Sequence, residues 1–198
     1  MKLLLTNSRL SFADGLHKSR TFEGALIAKF GADFIIEPAT QVFEISATNV
    51  RIPTTMDAAF LAVANEAWKG RGPEMLTTLE PSKKSLRDGN FRFNKNGEIY
   101  AGYAGRKYVA AKNAARPSLF DKDGKTPLTE ADGKLYSGCI VNASIDIYAM
   151  TESMKKGVFC TLLGVQLVGD GEAFGGSRVS SGEEFQNIAE GASADDLF

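Results

Sequence analysis

Tyr136-Ser137-Gly138-Cys139-Ile140-Val141-Asn142-Ala143-Ser144-Ile145-Asp146-Ile147-Tyr148-Ala149-Met150 is the stretch that decides the fold class. Cys139, Val141, Ala143, Ile145 and Ile147 share one parity, while Ile140, Asn142, Ser144, Asp146 and Tyr148 share the other. That is period-two patterning with one largely apolar face, so the segment predicts a strand lying on a core. Residues 158–168 are apolar almost throughout and predict a central strand, closed by the turn Gly169-Asp170-Gly171. Working outward, residues 21–30 predict a strand leading into Gly31, and 34–36 and 42–45 predict shorter strands separated by Pro38. Residues 91–93, 99–104 and 108–111 have strand character too, whereas 70–88, with Pro73 and Pro81, reads as loop.

One helix stands out. Thr54 or Thr55 can cap it after Pro53, Asp57 adds negative charge to its first turn, and Gly70 ends it. Phe60, Leu61, Ala64, Ala67 and Trp68 recur at helical spacing, a stripe read as core packing. Many short strands, abundant glycine and one main helix predict a mainly β protein with an OB-fold-like barrel. The barrel domain is placed at residues 1–180. Residues 181–198, rich in Ser, Gly, Glu, Ala and Asp, are read as a flexible acidic C-terminal tail.

Composition removes several function classes. No segment approaches the roughly 18 apolar residues of a membrane span. The apolar start, Met1 to Leu5, is cut off by Asn7, Ser8 and Arg9 before it can form a secretory core. A cytoplasmic protein with no membrane partner is the expectation. Cys139 and Cys160 sit in apolar runs and read as small buried hydrophobes, not a disulfide. The lone histidine, His17, lies in a polar loop-like stretch, so neither a zinc site nor a His-based triad is expected. Gly169-Asp170-Gly171-Glu172-Ala173-Phe174-Gly175 has the wrong glycine spacing for a dinucleotide fingerprint, and too little chain follows it for a βαβ unit. Asp121 and Asp123 lie in a turn and read as solvated. With no catalytic constellation, the chain is read as no enzyme, with no metal and no cofactor.

Charge is distributed unevenly. The net charge is −1, yet no Lys or Arg follows Arg178, while Glu183, Glu184, Glu190, Asp195 and Asp196 supply five negative charges. Residues 1–182 therefore carry +4, and residues 69–125 hold thirteen cations against six carboxylates. In that middle stretch cations interleave with aromatics, the pairing that single-stranded DNA requires: cations track phosphates and flat side chains stack on bases. The candidate DNA-binding residues are Lys83, Lys84, Arg87, Phe91, Arg92, Tyr103, Arg106, Lys107, Tyr108 and Lys112. Tyr103 and Tyr108, flanking Arg106 and Lys107, are the expected stacking pair. The competing reading is that the aromatics are core and the cations only solvate an outer face. No helix-turn-helix or basic recognition helix is visible for duplex binding.

Several motifs carry a resemblance. The run Tyr136 to Ser144, then Gly157-Val158, Gly169-Asp170-Gly171-Glu172 and Gly175-Gly176, with Leu86-Arg87-Asp88-Gly89 upstream, resembles a family of small phage proteins. That family, formerly a domain of unknown function, includes single-stranded-DNA-binding proteins. The resemblance implies an OB fold and sequence-tolerant coating and protection of single-stranded DNA in phage replication or recombination. The ending Asp195-Asp196-Leu197-Phe198 is similar to the tails of other replication single-strand binders. Acids on such an arm can compete with DNA for the basic groove. A terminal Phe with its carboxylate suits a pocket on a phage or host replication protein. The alternative from another class is a protein-interaction adaptor, or a DNA-mimicking inhibitor acting through that tail.

Overall fold

The computed structural model describes residues 1–21 and 27–174. In chain order its elements are β1 (Lys2–Ser11), α1 (Asp14–His17), β2 (Phe30–Ile35), β3 (Gln41–Ile45), β4 (Arg51–Thr54), α2 (Met56–Ala67) and α3 (Gly72–Thr78). They continue with β5 (Leu86–Asp88), β6 (Lys107–Asn113), β7 (Ser118–Phe120), β8 (Ile140–Met150) and β9 (Gly157–Gly169). All nine strands join one sheet in the order β2-β6-β9-β8-β1-β3-β4, with β5 beside β6 and β7 beside β9. β1 also pairs with β2, Arg9 opposite Ile35 and Ser11 opposite Asp33. Following the hydrogen bonds from β1 through β2, β6, β9 and β8 therefore returns to β1. Within this closed circuit only the β6–β9 pairing is parallel.

The alternating residues meet inside the circuit. Leu3, Leu5 and Leu10 of β1, Phe34 of β2, Val109 and Ala111 of β6, Val141 and Ile145 of β8, and Leu162 of β9 are all buried in one cluster. Each buried aliphatic side chain of this size contributes about 1.5–3 kcal/mol relative to exposure. Val141, Ala143, Ile145 and Ile147 take the inner face of β8, as the period-two pattern requires. α2 lays Met56, Ala59, Phe60, Val63 and Ala64 onto the same cluster, and half-buried Trp68 packs against it. The helix begins where expected, because the Thr55 Oγ1 accepts a hydrogen bond from the Ala58 N–H at 3.1 Å. Thr55→Ala is expected to lower stability by about 1 kcal/mol, read as a lower urea midpoint with an unchanged m-value.

Several segments differ from their sequence-based expectation. Residues 70–88 are not loop throughout: α3 follows Gly70 with Pro73 in its first turn, and β5 follows a short 3-10 turn at Pro81–Lys83. Residues 91–93 and 99–104 are not regular strands. A 3-10 turn covers Gly89–Phe91, successive turns run through 101–105, and a single bridge joins Phe93 to Ile99. Of the strand expected over 21–30, residues 22–26 lie outside the described residues and β2 begins at Phe30. His17 ends the short α1, half-buried, and burial lowers its pKa. Cys139 and Cys160 are buried free thiols, pushed up by burial, and Cys160 sits opposite Ile147. Among the described residues no helix is long and apolar enough to cross a membrane. The stretch 181–198, with Asp195, Asp196, Leu197 and Phe198, lies outside the described residues.

Candidate nucleic-acid interface

β2 and β6 turn one parity inward and the other onto an outer face. Ala32, Phe34, Val109 and Ala111 join the central core, while Ile35, Tyr108 and Ala110 form a second apolar cluster with Tyr103. Phe12, Tyr100 and Phe174 pack against that outer cluster. The chain between β5 and β6 makes this possible by folding back over the outer face. There the Tyr103 hydroxyl donates to Asp33 Oδ2 at 2.9 Å, and Arg92 Nη2 donates to the same oxygen at 3.1 Å. Burial raises the Asp33 carboxyl above its ordinary pKa, opposed by the Arg92 charge and the Tyr103 hydrogen bond. The Arg92 guanidinium also stands over the rings of Phe12 (4.9 Å), Tyr108 (5.7 Å) and Tyr100 (5.8 Å). Such contacts favour a cation most where water is excluded. Phe12 adopts φ 58°, a left-handed conformation uncommon for a bulky residue, and in it the ring lies beneath Arg92.

Above this floor lies a cleft of about 310 Å³ lined by Phe12, Arg20, Lys29, Asp33, Arg87, Arg92 and Lys112, together with Gly15, Gly31, Ala32 and Ala110. Five cations thus face one carboxylate, and that carboxylate is already paired with Arg92. Burial, then the neighbouring Arg87 charge, pushes the Lys112 ammonium below its ordinary pKa, as expected where cations crowd. Gly31 sits opposite Lys112, and a Cβ there would fall 2.9 Å from Lys112 Cγ and 2.8 Å from the Ala111 carbonyl oxygen. Only glycine lets the lysine stem lie across β2.

A second hollow of about 530 Å³ adjoins the cleft, sharing Arg87 and Arg92, and is lined further by Ser82, Lys84, Phe91, Phe93 and Tyr108. Phe91 is 75% exposed and Phe93 52% exposed, so both rings offer a face to a ligand. Arg87 is aimed by its own backbone: Nε donates to the Lys84 carbonyl at 2.6 Å and Nη2 to the Ser82 carbonyl at 3.3 Å. Lys84 Nζ donates to the Leu76 carbonyl at 3.0 Å, and Lys83 Nζ reaches the Met154 carbonyl at 3.4 Å.

The structure therefore gathers Lys84, Arg87, Phe91, Arg92 and Lys112 and leaves others elsewhere. Tyr103 and Tyr108, expected to stack on bases, are buried in the outer cluster, their rings 4.9 Å apart and edge-on. Tyr103 has no exposed surface, and Tyr108, which lines the hollow, is only 3% exposed. Arg106 is held by Glu37 at 2.8 Å and Lys107 by Asp57 at 2.7 Å, and neither lines the cleft. Phe12, Arg20 and Lys29 are the cleft residues that sequence reasoning missed. They lie outside the basic middle of the chain and reach the cleft because β2 pairs with both β1 and β6, with Arg20 and Lys29 bridged to each other ahead of β2.

The family model described as Enterobacter phage Enc34, ssDNA-binding protein, matches residues 1–198. Protein p50 of Acyrthosiphon pisum secondary endosymbiont phage 1 is 34% identical over 193 residues, which is 96% of this chain and 95% of that protein. Among solved structures, the single-stranded DNA-binding protein from bacteriophage Enc34 aligns with a TM-score of 0.63 at 18% identity, covering 93% of this chain and 90% of that one. The same phage protein in complex with ssDNA aligns with a TM-score of 0.60 at 17% identity, covering 88% and 89%. At those identities the structural likeness bears on the fold alone. The match along the full length, with a relative sharing a third of its residues, settles the assignment: the chain belongs to the Enc34 single-stranded-DNA-binding family of phage proteins.

Proposed function

We propose that this protein coats and protects single-stranded DNA during phage replication or recombination in the host cytoplasm, binding it with little regard to sequence. The activity of its family, single-stranded-DNA binding, is not enzymatic. The closed five-strand circuit fits an OB-type barrel. In that architecture the face of the second and third strands takes the oligonucleotide. Those strands are β2 and β6, and the observation that carries the reading is on their outer face. A five-cation cleft runs into a hollow where Phe91 and Phe93 stand open. Phosphates would follow Arg20, Lys29, Arg87 and Lys112, and bases would stack on the two phenylalanines, at about 1–3 kcal/mol each.

The acidic tail over 181–198 acts as a competitor for the same face. The last described residue, Phe174, packs on the outer cluster, lies 4.4 Å beneath the Arg9 guanidinium and donates its N–H to the Ser137 carbonyl at 2.8 Å. The 24 residues that follow can span up to about 80 Å when extended, ample reach for five carboxylates to meet the cleft. Asp195, Asp196, Leu197 and Phe198 would also present acidic groups and an aromatic ring to a replication protein. A fluorescent oligothymidine titrated at two salt concentrations tests both parts. The full chain is expected to bind in a salt-sensitive manner. Deleting residues 181–198 is expected to raise affinity several-fold at low salt and by less at high salt, where charges are screened. If the shortened chain fails to bind, the adaptor reading replaces coating.

A further inference from the structure

The β8–β9 hairpin carries a second aromatic and basic surface that the cleft does not include. Tyr148 on β8 and Phe159 on β9 are register partners on the outer face, their ring centroids 6.0 Å apart. Tyr148 is 40% exposed although its strand lies inside the sheet, paired on both sides over most of its length. At the hairpin tip Met154 is 90% exposed, and Lys155 and Lys156 follow it. Lys83 donates to the Met154 carbonyl, which places a third cation beside the tip. Two carboxylates lie near. Asp146 is paired with the N-terminal ammonium at 3.0 Å, and Glu152 faces Lys155 at 3.9 Å.

This surface is continuous with the cleft. Lys112 is the register partner of Thr161, and Thr161 of Asp146, so one outer row runs from β6 across β9 to β8. Phe159 and Tyr148 are each two residues along from that row on the same face. With strands about 4.8 Å apart, Tyr148 lies roughly 10 Å sideways from β6. We infer that Tyr148 and Phe159 form a second stacking station for the same strand of DNA as it leaves the cleft, with Lys83, Lys155 and Lys156 meeting its phosphates. This rests on the cleft being the DNA site.

The test compares two labelled oligothymidines on the full chain, one of about four nucleotides and one of about sixteen, the two ends of the range for such folds. Tyr148→Leu keeps an apolar side chain but removes the ring. It is expected to leave the short oligomer's affinity unchanged and to weaken the long one about tenfold, while Tyr148→Phe stays at the wild-type value for both. Equal weakening on both lengths, no weakening on either, or a Tyr148→Phe variant as weak as Tyr148→Leu would each overturn the second station. Wild-type protein that binds neither oligomer would instead overturn the cleft itself, and the station with it.

Discussion

Reversing two charges at the mouth of the cleft, Lys29→Glu with Lys112→Glu, is expected to weaken single-stranded DNA binding about a hundredfold at low salt. Each site then contributes about a factor of ten, or 1.4 kcal/mol. Both residues line the cleft, Lys112 on β6 and Lys29 just before β2. Arg87 and Arg92 are spared by design: the first donates to the carbonyls of Lys84 and Ser82 and the second holds Asp33, so replacing them would confound folding with binding. Two lost phosphate contacts should also reduce the slope of log affinity against log salt by roughly 1.4. The natural control is Arg106→Ala with Lys107→Ala. Those cations are held by Glu37 and Asp57 outside the cleft, so the control should leave the slope unchanged. Anisotropy titrations of both double variants at several salt concentrations decide the matter. A steep wild-type slope retained by the Lys29 and Lys112 variant would move the DNA off this face.

How far the sequence foretold this arrangement depends on which periodicity survives folding. β8 and α2 were legible because nothing interrupts their periods of two and 3.6, and β9 because it is apolar almost throughout, although its inward parity changes between Leu162 and Val165. β1 was not, although Leu3, Leu5 and Leu10 are all buried. Its register shifts between Leu5 and Ser8, with Asn7 at φ 54°, so the inward parity changes from odd to even within ten residues. An alternation that switches face halfway reads as no alternation. The Asn142 side chain accepts from the Asn7 N–H at 3.2 Å and steadies that bulge, a contact 135 residues away in sequence.

The site was half legible for a related reason. Phe91-Arg92-Phe93 does alternate, but in the opposite sense from a strand on a core. The two phenylalanines are open while the arginine turns inward to Asp33. The density of aromatics and cations pointed to the stretch that borders the cleft and the hollow yet could not assign each ring to core or open surface. Tyr103 and Tyr108 went to the core because Asp33 and Arg92 give their surroundings a polar centre to pack around. Arg20 and Lys29 carried no local signal, since their partners Arg87 and Lys112 are brought in only by the β2–β6 pairing and the segment before it.

Arg92→Ala is expected to destabilise the fold by about 3 kcal/mol at neutral pH. The figure is the low end of roughly 3–5 kcal/mol for breaking a buried ion pair, chosen because the arginine side chain is 34% exposed while that of Asp33 is 8% exposed. What remains after the substitution is a buried carboxylate with one hydrogen bond, from Tyr103, and no ion-pair partner, Arg87 acting on it only as the weaker charge of a cleft neighbour. The guanidinium's Nε has no hydrogen-bond partner and is buried against the aromatic rings, so packing is lost along with charge. The pH dependence separates the two losses. Asp33 already has a raised pKa in the folded state, which means the native protein holds its proton more tightly than the unfolded chain. Stability from this group is therefore greatest below the ordinary carboxylate value and falls as pH rises through the folded value. Removing Arg92 lifts that folded value further and widens the window. The variant should recover part of its lost stability between neutral pH and about pH 4, whereas a pure packing defect would show the same deficit at both. Adding Asp33→Asn, which keeps an oxygen for Tyr103 but no charge, should restore part of the neutral-pH loss. Urea denaturation of the four proteins at the two pH values closes the cycle. A deficit independent of pH and unrelieved by Asp33→Asn would show that Arg92 stabilises the outer face through its rings alone.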